Sequence, residues 1–465
     1  MQRVNPATGE PLSTIDEHSD DEVDAALDTA MDTFAEWRNV AIRERQQLLS
    51  NAADVLRENK QEYADVMTRE MGKPIAASVS EVEKCAWVCD YYAEHAGEQL
   101  QDKVIGSEPH AQSKVTYEPL GAVLAVMPWN FPFWQVFRFA APHLTSGNVG
   151  LLKHASNVPE CALAIEDVFR KAGYPEGVFQ TLLVGSAKVG DVIADDRVAA
   201  VTLTGSEAAG RSVAETAGKN LKKTVLELGG SDPFVVLDDA DVATAAKVGA
   251  RARTINSGQS CIAAKRFIVH EAVYDEFLSQ FLTELEALTV GDPTDKETDI
   301  GPQARKGLME DLHEQVTASV EAGAIVELGG EPMDRDGYYY PPTVLTDVPD
   351  GSPAAEEEIF GPVASVFKVA DEAEAIRVAN DTNLGLGASV WTADLARGER
   401  VGHRIEAGCV FVNELVKSDP RLPFGGIKDS GYGRELAREG MLEFVNQKTM
   451  WIQDADGDAE LSLSE

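Results

Sequence analysis

Apolar side chains recur at helical spacing through the first hundred residues. Val23, Leu27, Ala30, Met31 and Phe34 share one face of a helix that follows Ser19-Asp20-Asp21-Glu22, a capping-box pattern. Gly72-Lys73-Pro74 breaks a later helical stretch. From about 101 to 119 the pattern turns polar and then alternates weakly through Val115-Thr116-Tyr117, which predicts a hairpin leaving the body of its domain. Short apolar runs follow at 122–126, 149–152, 181–184, 199–203 and 225–228, with helical patterns such as 159–171 between them. Strands alternating with helices predict an α/β fold around a parallel sheet covered on both faces. A second alternating section starts at Pro233-Phe234-Val235-Val236-Leu237 and runs to about 430, and residues 441–453 close in an apolar strand-like segment. That strand and the protruding hairpin together predict a subunit contact. No internal repeat is visible.

Composition narrows the classes. A chain of 465 residues exceeds what one hydrophobic core supports, so two or more domains are expected. The 78 acidic and 41 basic residues leave a net charge of −37, which argues against nucleic acid and against anionic membranes, both of which attract Lys and Arg. Apart from the tail at 455–465 the acid is dispersed, which fits a protein kept soluble in concentrated salt, where the Debye length falls to roughly 3 Å at 1 M. The start of the sequence lacks the apolar stretch of a signal peptide, and no run approaches the roughly 18 apolar residues of a membrane span; a cytoplasmic location is expected. Cys85, Cys89, Cys161, Cys261 and Cys409 form neither a disulfide framework nor a zinc spacing, and Cys85 and Cys89 read as core. Neither His270-Glu271 nor His313-Glu314 has the second histidine of a metal motif, so no metal is expected.

Five segments carry chemistry. Cys261, in Asn256-Ser257-Gly258-Gln259-Ser260-Cys261-Ile262, is a thiol bracketed by turn-forming residues, as a nucleophile would be, whereas a structural thiol more often sits within a strand or helix. Asn130, in Pro128-Trp129-Asn130-Phe131-Pro132, follows a strand, where doubly wound sheets bind ligands, and its amide can donate to an oxyanion; an Asx turn is the plainer reading. Glu227, between two leucines and before Gly229-Gly230, suits a general base whose pKa burial raises, or a salt-bridged strand end. The run from Val201 to Gly210 puts free amides of a helix start behind Gly205, ready for an anion, as an ordinary strand-turn-helix also would. Lys153, at the end of a strand, is a candidate for nucleotide hydroxyls or phosphate.

Together these segments resemble the aldehyde dehydrogenase superfamily over essentially the whole chain. Asn5-Pro6-Ala7-Thr8-Gly9-Glu10, Glu358-Ile359-Phe360-Gly361-Pro362, Pro423-Phe424-Gly425-Gly426 and Ser430-Gly431-Tyr432-Gly433-Arg434 complete the likeness, in the family's order. The resemblance implies a Rossmann-like cofactor domain (1–100 and 120–229), an α/β catalytic domain (230–430) and a small β oligomerisation element (101–119 and 441–454) serving a homodimer or homotetramer. It also implies that Cys261 attacks the aldehyde, that Asn130 and the Cys261 amide hold the oxyanion, and that Glu227 activates water to release the acid from a thioester. Trp129, Lys153, Ser156, Thr204, Gly205, Ser206, Gly210, Leu228, Glu358 and Phe360 are the implied cofactor contacts. Ser156 replaces the glutamate common in strictly NAD-using relatives, which admits the 2′-phosphate of NADP beside Lys153; the cofactor expected is NADP or NAD, leaning to NADP.

The aldehyde is read from Arg138. If residues 131–138 are helical, Arg138 points where Phe131 points, into the pocket beside Asn130. An arginine amid aromatics needs an anionic partner, since an unpaired buried charge costs several kcal/mol; a substrate carboxylate or an acid of the chain would serve. The first choice looks like succinate-semialdehyde dehydrogenases. These members often place a second arginine six residues before the nucleophile, where this chain has Ile255; Arg421 and Lys417 are the candidates to replace it, and Phe424 lines the same segment. Ala263 excludes a redox cysteine two residues past Cys261. A coenzyme-A-acylating semialdehyde dehydrogenase would not need Glu227, a cysteine hydrolase would want a histidine partner, and a non-catalytic binding protein would have no use for Cys261, Glu227 and Asn130 together.

Overall fold

The structure, a computed structural model, describes residues 1–108 and 111–453; the acidic tail expected at 455–465 lies outside them. Four helices, Asp20–Trp37, Ile42–Glu58, Lys60–Met71 and Ile75–Gln99, occupy the first hundred residues. The capping box forms: Ser19 Oγ accepts from the Glu22 N–H, and the Ser19 N–H donates to Glu22 at 2.8 Å. Cys85 and Cys89 are wholly buried in the core.

The helices pack on a six-stranded sheet of order Gly431–Tyr432, Lys223–Glu227, Val198–Thr204, Ala122–Met127, Val149–His154, Phe179–Thr181. All its neighbours run parallel except the first pair. The run expected as a strand at 181–184 pairs only at its start. Thr181 lies opposite Leu152, and beyond it the Leu183 carbonyl accepts from the His18 N–H at 2.8 Å, so the backbone leaves the sheet for the amino-terminal segment.

A seven-stranded sheet follows, of order Ile325–Leu328, Thr343–Thr346, Val363–Val369, Arg266–His270, Pro233–Val236, Gly387–Trp391, Cys409–Val412, parallel except at its first, antiparallel edge. Alternate residues enter separate cores. Phe234 and Val236 face one layer with Phe267 and Phe281, while Val235 and Ile268 face the other with Ile376 and Val401. Burial on both faces is why these strands read as continuous apolar runs. A third sheet joins Lys103–Glu108, Ala111–Pro119 and Val445–Gln453, all antiparallel, and exposes Ile105 and Trp451, each at 62%. Among the described residues no helix is long and apolar enough to cross a membrane.

The register of the first sheet sets the site. Thr204 lies opposite Glu227 and Met127 opposite His154 at the carboxyl ends of their strands. The residues just beyond, Gly205, Leu228, Asn130 and Ser156, therefore gather along one edge. The loop bearing Cys261 reaches that edge from between the helix Val242–Thr254 and the strand that starts at Arg266.

Candidate active site

Three consecutive residues in left-handed backbone lead to the thiol: Asn256 at φ 53°, Ser257 at φ 57° and Gly258 at φ 76°. For a residue with a side chain this conformation costs roughly 1–2 kcal/mol, so the surroundings must impose it. Asn256 Nδ2 donates to Asn130 O at 2.7 Å and to Gln259 O at 3.0 Å; Ser257 Oγ accepts from the Gly301 N–H at 2.9 Å. Position 258 must be glycine for a second reason: a Cβ there would lie 2.2 Å from the carbonyl carbon of Gly361.

Asn130, 4% exposed, donates one amide hydrogen to Gln259 O at 3.1 Å and keeps the other. Among the described residues nothing accepts the Cys261 N–H. Two donors are thus uncommitted, one on Cys261 itself and one on a side chain hydrogen-bonded two residues before it, and groups of this kind serve an oxyanion. Lys265 Nζ donates to Ser260 O at 2.8 Å and Cys261 O at 2.6 Å, fixing the turn from below. Cys261 is half-buried; desolvation of the sulfur pushes its thiol up to about 12, against the pull of Lys265 and Arg138. The thiol therefore rests protonated and must lose its proton as it attacks.

Glu227 ends its strand at 2% exposure, and neither carboxyl oxygen has a hydrogen-bond partner. Burial first, then the neighbouring Glu435, hold its pKa well above the carboxylate range, opposed by Arg138 and Arg434. A buried carboxyl with no protein donor on either oxygen is free to take a proton from water.

Arg138 and Glu435 form a buried ion pair, each side chain 3% exposed. Of the two anions open to Arg138, the fold supplies the acid of the chain. Glu435 is delivered by an antiparallel bridge to Phe424, whose ring lies 4.8 Å from the Arg138 guanidinium, and Arg138 Nη2 reaches Thr204 Oγ1 at 3.4 Å. The expected shared face with Phe131 does not form, because the helix runs only from Trp134 to Thr145. Its start is set by Glu81, which accepts the N–H groups of Phe133 and Trp134, both at 2.9 Å. Glu81 also pairs with buried Lys73, whose ammonium sits 3.9 Å from the Phe131 ring centroid. Phe131 thus faces Lys73, and the residue one turn from Arg138 is Trp134. Arg421 pairs with Asp419 and is 68% exposed, and Lys417 pairs with Glu414, so each is committed to an acid of its own segment.

Along the same edge, Lys153 is buried, yet among the described residues no acid pairs with it; burial lowers its pKa, with only Glu17 opposing. Ser156 is exposed beside it. Gly205 has room above it, and Ser206 caps the helix Glu207–Lys219, its hydroxyl accepting from the Ala209 N–H at 3.4 Å. Gly210 is needed for packing: a Cβ would lie 2.6 Å from a Leu228 methyl. Glu358 accepts from the Gly230 N–H at 3.1 Å and lies 3.3 Å from Lys265, while Phe360 meets Trp129 edge-on at 5.8 Å between centroids. An unpaired buried ammonium, an open glycine turn at a helix start and a carboxylate across the edge fit a dinucleotide, with Lys153 placed for ribose hydroxyls or a 2′-phosphate. Glu435, Lys265, Asn256 and Glu81 were not singled out from the sequence. Lys265, four residues past the thiol, and Glu435, directly after Arg434, were the traces available.

The chain matches the pattern of the aldehyde dehydrogenase family over residues 1–450. It is 55% identical over 449 residues, 97% of this chain and 99% of the other, to a Synechocystis sp. protein named probable succinate-semialdehyde dehydrogenase, NADP(+). It is 51% identical over 460 residues, 98% of each chain, to the Mycobacterium avium succinate-semialdehyde dehydrogenase, NADP(+). The structure of succinic semialdehyde dehydrogenase from Streptococcus pyogenes, in complex with NADP+ as the cofactor, superimposes with a TM-score of 0.95 at 40% identity, covering 97% of this chain and 100% of that one. With thiol, free N–H donors and unpaired carboxyl gathered at one sheet edge, and the family pattern running over residues 1–450, this chain belongs to the aldehyde dehydrogenase family.

Proposed function

We propose that this protein oxidises succinate semialdehyde to succinate with NADP. The observation that carries the reading is the convergence of Cys261, its two free donors and unpartnered Glu227 on one edge, in a chain whose close relatives bear that activity in their names. Cys261 sulfur bonds to the aldehyde carbon while its proton passes to solvent water, and the oxyanion is received by Asn130 Nδ2 and the Cys261 N–H. A nicotinamide held beside Lys153, Gly205 and Glu358 would supply the hydride acceptor, and loss of hydride from that carbon leaves Cys261 bearing a thioester. Glu227 then takes a proton from water, and the hydroxide displaces the thiolate. Covalent capture divides one hard oxidation into two easier steps. Arg138, offset by Glu435, steadies the negative charge that passes between sulfur and carboxyl.

Lys153 with exposed Ser156 supports NADP, since position 156 carries a hydroxyl and not a carboxylate that would repel a 2′-phosphate. Residues 1–100 and 120–229 hold the cofactor in this reading, and 230–430 supply the nucleophile. The third sheet, with Ile105 and Trp451 bare, is the contact of a cytoplasmic homodimer or homotetramer. The dispersed acidic surface is a device for solubility in high salt. The test is a comparison of initial rates with succinate semialdehyde and butanal, an uncharged aldehyde of equal length, with NADP and NAD in turn. The highest kcat/KM is expected for succinate semialdehyde with NADP; equal values for the two aldehydes would overturn the substrate, and a preference for NAD the cofactor.

A further inference from the structure

We propose that Lys84 is the cation that selects the substrate carboxylate, with Ser418 as its hydroxyl partner. This rests on the reading of succinate semialdehyde as substrate. Lys84 lies on the helix Ile75–Gln99 with its ammonium 4.1 Å from the Trp134 ring centroid, and Nζ donates to Ser418 Oγ at 2.7 Å. Trp134 precedes Arg138 by one turn, so the ammonium and the guanidinium flank one face of that helix. The segment from Ser418 to Phe424 joins the two: its first residue meets Lys84 and its last lies against Arg138.

Charge separates their roles. Arg138 already forms a buried ion pair with Glu435 and lies close enough to Glu227 to act on its charge, so the fold itself supplies its counter-charge. Around Lys84 the acids are already paired, Glu81 with Lys73 and Asp419 with Arg421, and among the described residues none forms an ion pair with Lys84. A ring face and a hydroxyl replace water poorly for a half-buried ammonium. Because Lys84 donates to Ser418 Oγ, the serine O–H remains free to donate in turn. An anion brought against Trp134 thus meets an uncompensated cation and a hydroxyl donor together. Lys84 supplies the charge missing at Ile255, which Arg421 and Lys417 do not.

Burial brings Lys84 down to about 8, assisted by Arg138 and opposed by Cys85, Glu81 and Asp419. The anchor is therefore charged below that pH and fades as pH rises through it. The experiment measures KM for succinate semialdehyde and for butanal at saturating NADP, on the full-length enzyme and on Lys84→Met, Lys84→Arg and Ser418→Ala. Lys84→Met is expected to raise KM for succinate semialdehyde about ten- to a hundredfold, the span of a hydrogen bond to a charged group, while leaving butanal within about twofold. Lys84→Arg restores the preference and removes the rise in the ratio of the two KM values that the wild type shows above about pH 8. Ser418→Ala, which keeps the helix untouched, gives a smaller loss confined to succinate semialdehyde. If Lys84→Met shifts both aldehydes alike, or neither, while the wild type still prefers succinate semialdehyde, Lys84 is not the selector and the substrate assignment stands. A wild type with no such preference overturns both.

Discussion

Replacing Glu227 by glutamine separates the two halves of the reaction. The side chain keeps its shape but loses its basicity, and no hydrogen bond of the fold is lost, since neither oxygen accepts one from the protein. The change also removes the like charge that Glu435 opposes to it, so folding stability is not expected to fall. A positioned general base contributes about 10²- to 10⁴-fold, and steady-state kcat is expected to drop by that factor. Thiol attack and hydride transfer precede the step that needs Glu227. A stopped-flow trace at the absorbance of reduced nicotinamide should therefore keep a burst of about one equivalent per subunit, followed by a nearly flat phase. In the wild type the base works only when deprotonated. Its raised pKa means that steady turnover falls on the acid side at a pH well above the ordinary carboxylate range, a limb the variant should lack. A folded variant without the burst would mean that Glu227 acts before the thioester, as the acceptor of the thiol proton, and the assignment would be wrong.

Two further substitutions probe the scaffold. Gly258→Ala places a methyl group 2.2 Å from the Gly361 carbonyl carbon at a left-handed position, so the turn must shift. A displacement of about 1 Å costs on the order of 10²-fold in rate, to be measured as kcat/KM and as the alkylation rate of Cys261; wild-type values for both would show that the turn does not position the sulfur. Ser156→Glu introduces a carboxylate beside Lys153 and is expected to lower kcat/KM for NADP relative to NAD by at least about tenfold, because like charges set together cost several kcal/mol. An unchanged ratio would remove Ser156 and Lys153 from recognition of the 2′-phosphate.

The chemistry-bearing residues were legible because each sits in a local pattern. Cys261 lies among turn formers, Asn130 follows an apolar strand, and Glu227 stands between leucines ahead of paired glycines. The order of helices and strands was legible for the same reason, since hydrophobic period reports which faces are covered. The Ser19–Glu22 cap needs only neighbours within one turn and formed as read. The strand at Phe179–Thr181 starts two residues before the apolar run at 181–184 and ends three residues before that run does, because pairing, not hydrophobicity, sets a strand's ends. The two-residue antiparallel strand Gly431–Tyr432 has no pattern of its own and exists because it lies against Leu226 and Glu227.

Which anion satisfies Arg138 was undecidable from the chain. Glu435 reaches it only through the bridge to Phe424, and the helix start at Trp134 depends on Glu81 from a distant helix. Local order thus announced the reaction, whereas the partners of Arg138, Lys73 and Lys84 emerged only on folding. A charge buried in a low-dielectric interior answers to whatever lies within a few ångströms, and those neighbours come from segments far apart in the chain.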